Sequence, residues 1–116
     1  MFSNNRINVF GKPLMSCSTN PLTGWRRTGY CDTDEYDSGT HVVCAMMTEE
    51  FLLFTYAMGN DLIGAGLKPG DKWCVCALRW LEAYKAGFAP PVDLNATNIK
   101  VLNIIDKKTL LRNTLQ

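Results

Sequence analysis

The side chains best suited to chemistry in this chain are five cysteines, Cys17, Cys31, Cys44, Cys74 and Cys76, and a single histidine, His41. A thiolate is both a nucleophile and a soft metal ligand, and a neighbouring imidazole or guanidinium favours its formation. Cys17, Cys31 and Cys44 with His41 are therefore the candidate catalytic set of a cysteine-dependent enzyme or redox protein. Direct pairing of His41 with Cys44 requires a bend, because residues three apart on a strand point to opposite faces. A core thiol near a hydrogen-bonded histidine is the simpler expectation. The same residue types also suit a closed tetrahedral zinc site, for which Cys17, Cys31, His41, Cys44 and Cys74 are the candidate ligands. No other cofactor is predicted. Cys74 and Cys76 do not chelate as a pair if they lie on a helix, where they stand about 200° apart around the axis.

An odd number of cysteines argues against a complete disulfide framework, so free thiols are expected. The thirteen residues between Cys17 and Cys31 are too many for a simple metal knuckle. That interval, within CSTNPLTGWRRTGYC, holds Trp25, Arg26 and Arg27. Guanidinium forks suit planar anions, and these three residues, with Asp61 of the GNDL stretch, are the candidate ligand-binding set. The acidic run Asp32, Asp34, Glu35 and Asp37 resembles the start of a calcium loop. It fails the EF-hand pattern, because Asp37 stands at the glycine position and Val43 at the twelfth. GNDLIGAGLKPG follows a helical pattern and lacks a lysine-serine ending, so it is no phosphate-binding loop. Neither a paired-carboxylate nor a Ser-His-Asp signature is present.

The elements that must position these groups follow from periodicity and punctuation. The 116 residues carry a net charge of +1, 47% hydrophobic and 20% charged residues. These values predict one globular domain over residues 1–116, with no basic field for nucleic acid. No stretch approaches a membrane span or a signal-peptide core, so a soluble, cytoplasmic protein is expected. Ile7–Phe10 alternates and reads as a short strand, stopped by Gly11-Lys12-Pro13. From Ser16 to Thr40 the chain is a long turn-rich loop with Trp25, Tyr30 and Tyr36 as anchors, which predicts order and function in place of disorder. His41–Met47 reads as a strand buried on both faces. Thr48 caps a helix that carries Phe51, Phe54, Met58 and Leu62 on one stripe and stops at Gly59-Asn60. The spacing of Trp73, Ala77, Trp80 and Tyr84 favours one helix over Lys72–Ala86, the alternative being a strand through Cys76 and a shorter helix. KVLNII reads as a strand, and Asp106 caps a final helix over Lys107–Leu115. The sum is an α+β domain: a short mixed sheet, two main helices, a short C-terminal helix and a long ordered loop after the first strand.

The ordered motifs NVFGKPL, CSTNPLTGWRRTGYC, HVVCAMMTEEFL, GNDL, LKPGDKWCVCALRWLEAYKAG and APPV together resemble an uncharacterised, mostly bacterial family, a domain of unknown function. The resemblance runs from Asn8 to about Leu111 and implies the family's fold, with no activity attached. Cys17, Cys31, His41, Cys44 and Cys74 match positions of the family motifs, whereas Cys76 has the weakest claim to a role. Two departures stand out. Only three residues separate Asp61-Leu62 from Gly66-Leu67, where similar proteins are longer and proline-rich, and Asn98 stands where they tend to carry histidine.

The residues thus favour a small binding or interaction module whose Cys17–Cys31 loop shapes a pocket for a small polar ligand or peptide. The alternatives are a thiol enzyme or redox protein and a structural zinc domain. No nucleic-acid or membrane partner is expected.

Overall fold

The computed structural model describes residues 6–38 and 40–115. Its centre is an antiparallel pair, β1 (Val43–Met46) and β2 (Lys72–Val75), in the register Val43–Val75, Cys44–Cys74, Ala45–Trp73 and Met46–Lys72. Val43, Cys44 and Ala45 are fully buried, as expected for a short apolar run covered on both faces. The free edge of β1 is closed by the segment after Pro90-Pro91: the Met46 amide donates to the Pro91 carbonyl and the Asp93 amide to the Cys44 carbonyl.

The helix α1 (Glu49–Ala57) follows β1 directly. Thr48 caps it by accepting from the Phe51 amide at 3.1 Å, and Glu49 and Glu50 complement the positive end of its dipole. Its buried face is Phe51, Leu52 and Thr55, while Phe54 packs at the margin and Met58 and Leu53 are exposed. The stripe is rotated from the expected one because Thr55, whose hydroxyl accepts from the Asn60 side chain, takes an inward position.

The segment expected as one helix over Lys72–Ala86 is instead β2 followed by α2 (Ala77–Ala86). The helical spacing is real from Ala77 onward, where Trp80 is fully buried, stacks on Tyr84 and donates from Nε1 to the Pro90 carbonyl at 3.0 Å. Before Ala77, an aromatic and a β-branched residue gain more by pairing with β1, and tertiary pairing overrides periodicity. Gly87, in the left-handed region at φ 88°, ends α2.

Other expectations change as well. Ile7 and Asn8 make isolated bridges, to Pro13 and Asn98, and no strand forms there. The long loop therefore precedes β1, and the sheet of β1 and β2 is antiparallel, not mixed. KVLNII contributes to a 3-10 turn, Ile99–Asn103, because the Asn98 side chain caps it by accepting from the Lys100 amide. Asp106 does cap the last helix, α3 (Lys107–Leu111), which is shorter than expected and buries Leu110 while leaving Leu111 exposed. The architecture is α+β. Among the described residues, no helix is long and apolar enough to cross a membrane.

Candidate functional site

Two features built by the loop between Ser16 and Thr40 hold most of the candidate residues: a buried sulfur core and, beside it, a pocket.

In the sulfur core, β1 and β2 set Cys44 and Cys74 directly opposite each other, so both side chains project from one face of the sheet. The loop crosses that face and delivers two cysteines to it, Cys17 from its start and Cys31 from its interior. Cys17 is bonded to Cys44 and Cys31 to Cys74, and all four are buried with Ala96 in an apolar cluster of their own. The expectation of free thiols is therefore corrected. The odd count reflects one unpaired residue, Cys76, at the N-terminal cap position of α2. The two bonds interleave, each joining a loop cysteine to a strand cysteine, a pairing that spacing along the chain cannot disclose.

The surrounding polar groups lock this arrangement. Buried Thr23 accepts from the Cys74 amide at 2.9 Å, and buried Thr97 accepts from the Cys44 amide at 3.1 Å. Asn98, fully buried, donates from Nδ2 to the Cys31 carbonyl at 3.2 Å. Its side-chain oxygen also accepts from the Lys100 amide at 3.0 Å, so the amide serves as both donor and acceptor. At the loop's tight turn, a Cβ on Gly24 would stand 2.4 Å from the Tyr30 carbonyl oxygen, and its φ of 107° excludes other residues on its own.

The pocket encloses about 500 Å³ and is lined by Gly24, Trp25, Arg27, His41, Leu62, Ala65, Trp73 and Cys74. The Trp25 and His41 rings stack, 6.2 Å between centroids and 6° from parallel. The Arg27 guanidinium lies over the Trp73 ring at 5.1 Å and donates to the Gly24 carbonyl at 2.6 Å. This hold on Gly24 accompanies an unusual left-handed backbone at Arg27, φ 57°. His41 does not meet Cys44. Its Nδ1 lies 2.7 Å from Asp37 Oδ1, and the fully buried Asp37 carboxylate also accepts from the His41 amide and the Thr33 hydroxyl. Burial pushes Asp37 up, but these three hydrogen bonds outweigh it and hold its carboxyl below the usual range. A small cavity of about 60 Å³ is lined by His41, Asn60, Trp73, Cys74 and Cys76 among others.

The remaining candidates are engaged elsewhere. Arg26 pairs with Asp34 on the exposed side of the loop, and its guanidinium holds the Asp34 carboxyl below its ordinary value. Asp61 accepts from the Gly64 amide at 2.6 Å, shaping the turn that carries Leu62 and Ala65 to the pocket. The acidic run disperses, since Asp32 pairs with Arg6, Asp34 with Arg26 and Asp37 with His41. With Cys17, Cys31 and Cys44 in disulfides, the candidate catalytic set offers no thiolate in this oxidation state. The candidate metal set divides as well: its four cysteines form the core, and His41 turns to Asp37. Reading the sequence missed Trp73, assigned to a helix, and Asp37, whose position four residues before His41 was an available signal.

Fold and site together define a small α+β protein with a sulfur-tied loop over a two-stranded sheet. It belongs to DUF2237, described as an uncharacterized protein conserved in bacteria, whose pattern matches residues 7–114. The family carries no assigned function. No curated protein matches the chain.

Proposed function

We propose that this protein is a small binding module and that its pocket takes a small planar anion, an aromatic carboxylate being the simplest case. The observation behind this reading is the convergence of Trp25, Trp73, Arg27 and His41 on one concavity of about 500 Å³. That volume lies within the range of small-molecule sites. The indole faces offer stacking surfaces for a flat ring, and a guanidinium beside them suits a carboxylate. His41 is held at the rim by a buried carboxylate, so the pocket wall is preorganised. The partner is thus a small polar ligand in preference to a peptide.

Benzoate is a suitable probe. In a heteronuclear NMR titration, the expected result is saturable shifts of the Trp25 and Trp73 indole N–H signals and of Arg27. Trp25→Ala should weaken binding at least about tenfold, the loss of one stacking contact of about 1.4 kcal/mol. Shifts centred on α3, or none at millimolar benzoate, would contradict it.

A further inference from the structure

We propose that, when both disulfides are reduced, Cys17, Cys31, Cys44 and Cys74 hold one Zn²⁺ as a closed tetrathiolate site. The site is separate from the pocket except at Cys74, which borders both.

The sulfurs of Cys17, Cys31 and Cys74 all lie within 4.8 Å of one another, although they belong to two different disulfides. A tetrahedron with Zn–S bonds of about 2.3 Å has S···S edges of about 3.8 Å. The two edges from Cys17 are therefore at most about 1 Å longer than the ion needs, and the third, the Cys31–Cys74 bond of 2.03 Å, opens by about 1.8 Å once it is reduced. The fourth, Cys44, projects from the same sheet face as Cys74, directly across the strand pair, and is bonded to Cys17. Rotation about its Cα–Cβ bond, once that sulfur is released, moves it without displacing the strand.

The donor chemistry selects the metal. Four thiolates and no oxygen donor suit zinc and exclude magnesium or calcium. His41 is held by Asp37 and does not compete. Cys17, Cys31, Cys44 and Cys74 are at most 5% exposed, and four protein ligands leave no open position, which marks a structural site in place of a catalytic one. The ion would join the same two strands and the same two points of the loop that the disulfides join. The loop over the sheet would then be clamped in either redox state.

The chemistry balances with a dithiol as reductant. Each disulfide takes two electrons and two protons from one dithiol, which leaves as its own disulfide. Zn²⁺ then displaces the four thiol protons into solvent. Reducing compartments supply such dithiols.

The test is to reduce the full chain anaerobically with a phosphine, remove the reductant and titrate with Co²⁺, then Zn²⁺. The expected result is saturation at one Co²⁺ per chain, with thiolate-to-metal charge transfer and the visible bands of a tetrahedral ion, which Zn²⁺ abolishes. Cys76→Ser should leave affinity unchanged, and Cys44→Ala should lower it at least about tenfold. If the reduced metal-free chain is unfolded, circular dichroism should show refolding complete at one equivalent of Zn²⁺. A reduced chain that stays folded without taking up either ion, one that stays unfolded with Zn²⁺ present, or a site lost in Cys76→Ser would each overturn the proposal.

Discussion

At the residue scale, the pocket depends on a pair the sequence half disclosed. His41 stands out as the single histidine, and Trp25 and Arg27 as an aromatic and a cation in a long loop, and all three line the pocket. Their partners were less legible. Asp37 sits in an acidic run whose members look alike in composition; its place four residues before His41 is the one signal that singles it out, and folding buries it fully while leaving the carboxylate at Arg26 part-exposed. The consequence is pH dependence of a definite sign. Because hydrogen bonds hold the Asp37 carboxyl below its usual range in the folded state, the unfolded chain binds more protons as acid is added. Its contribution to stability is complete above the unfolded value of about 3.9 and disappears as pH falls through the lower, folded value. Asp37→Asn should flatten that part of the acid-unfolding curve, measured by tryptophan fluorescence at a series of pH values. An unchanged slope would show that the carboxylate is not held as described.

At the scale of elements, what was legible was what local chemistry decides. Thr48, Glu49 and Glu50 announce the start of α1, Gly87 the end of α2 and Asp106 the start of α3, and each stands where the sequence puts it. The capping threonine should be separable from the rest: Thr48→Ala removes the acceptor for the Phe51 amide and should cost about 1 kcal/mol. Urea unfolding should show a lower midpoint with an unchanged slope. What was not legible was what the rest of the chain decides. Trp73, Cys74 and Val75 fit a helix as well as a strand by spacing, and β1 resolves the ambiguity by pairing with them. The apolar run around Val101 fits a strand, but Asn98 caps it into a 3-10 turn and donates to the Cys31 carbonyl.

At the scale of the whole molecule, the sulfur core joins the loop to the sheet, and its pairing was hidden for a physical reason. Cysteine count and spacing carry no information on which sulfurs meet; that is set by the register Cys44–Cys74 and by the loop's path across it. The two bonds join cysteines 27 and 43 residues apart. Removing either should cost about 2 to 4 kcal/mol in the oxidised protein. The longer closure should cost about 0.4 kcal/mol more on loop entropy alone. Paired variants, Cys31→Ala with Cys74→Ala and Cys17→Ala with Cys44→Ala, compared by denaturant unfolding, check both values. Equal stability of all three proteins would mean that packing alone holds the loop.

The pocket, the buried threonines and the proposed metal site all rest on the assignment of loop cysteines to strand cysteines. Peptide mapping of the air-oxidised, metal-free protein, digested without reduction after alkylation of free thiols, tests that assignment directly. The expected fragments join Cys17 to Cys44 and Cys31 to Cys74, with the alkyl group on Cys76 alone. A fragment joining Cys17 to Cys31, or any disulfide that includes Cys76, would contradict the account.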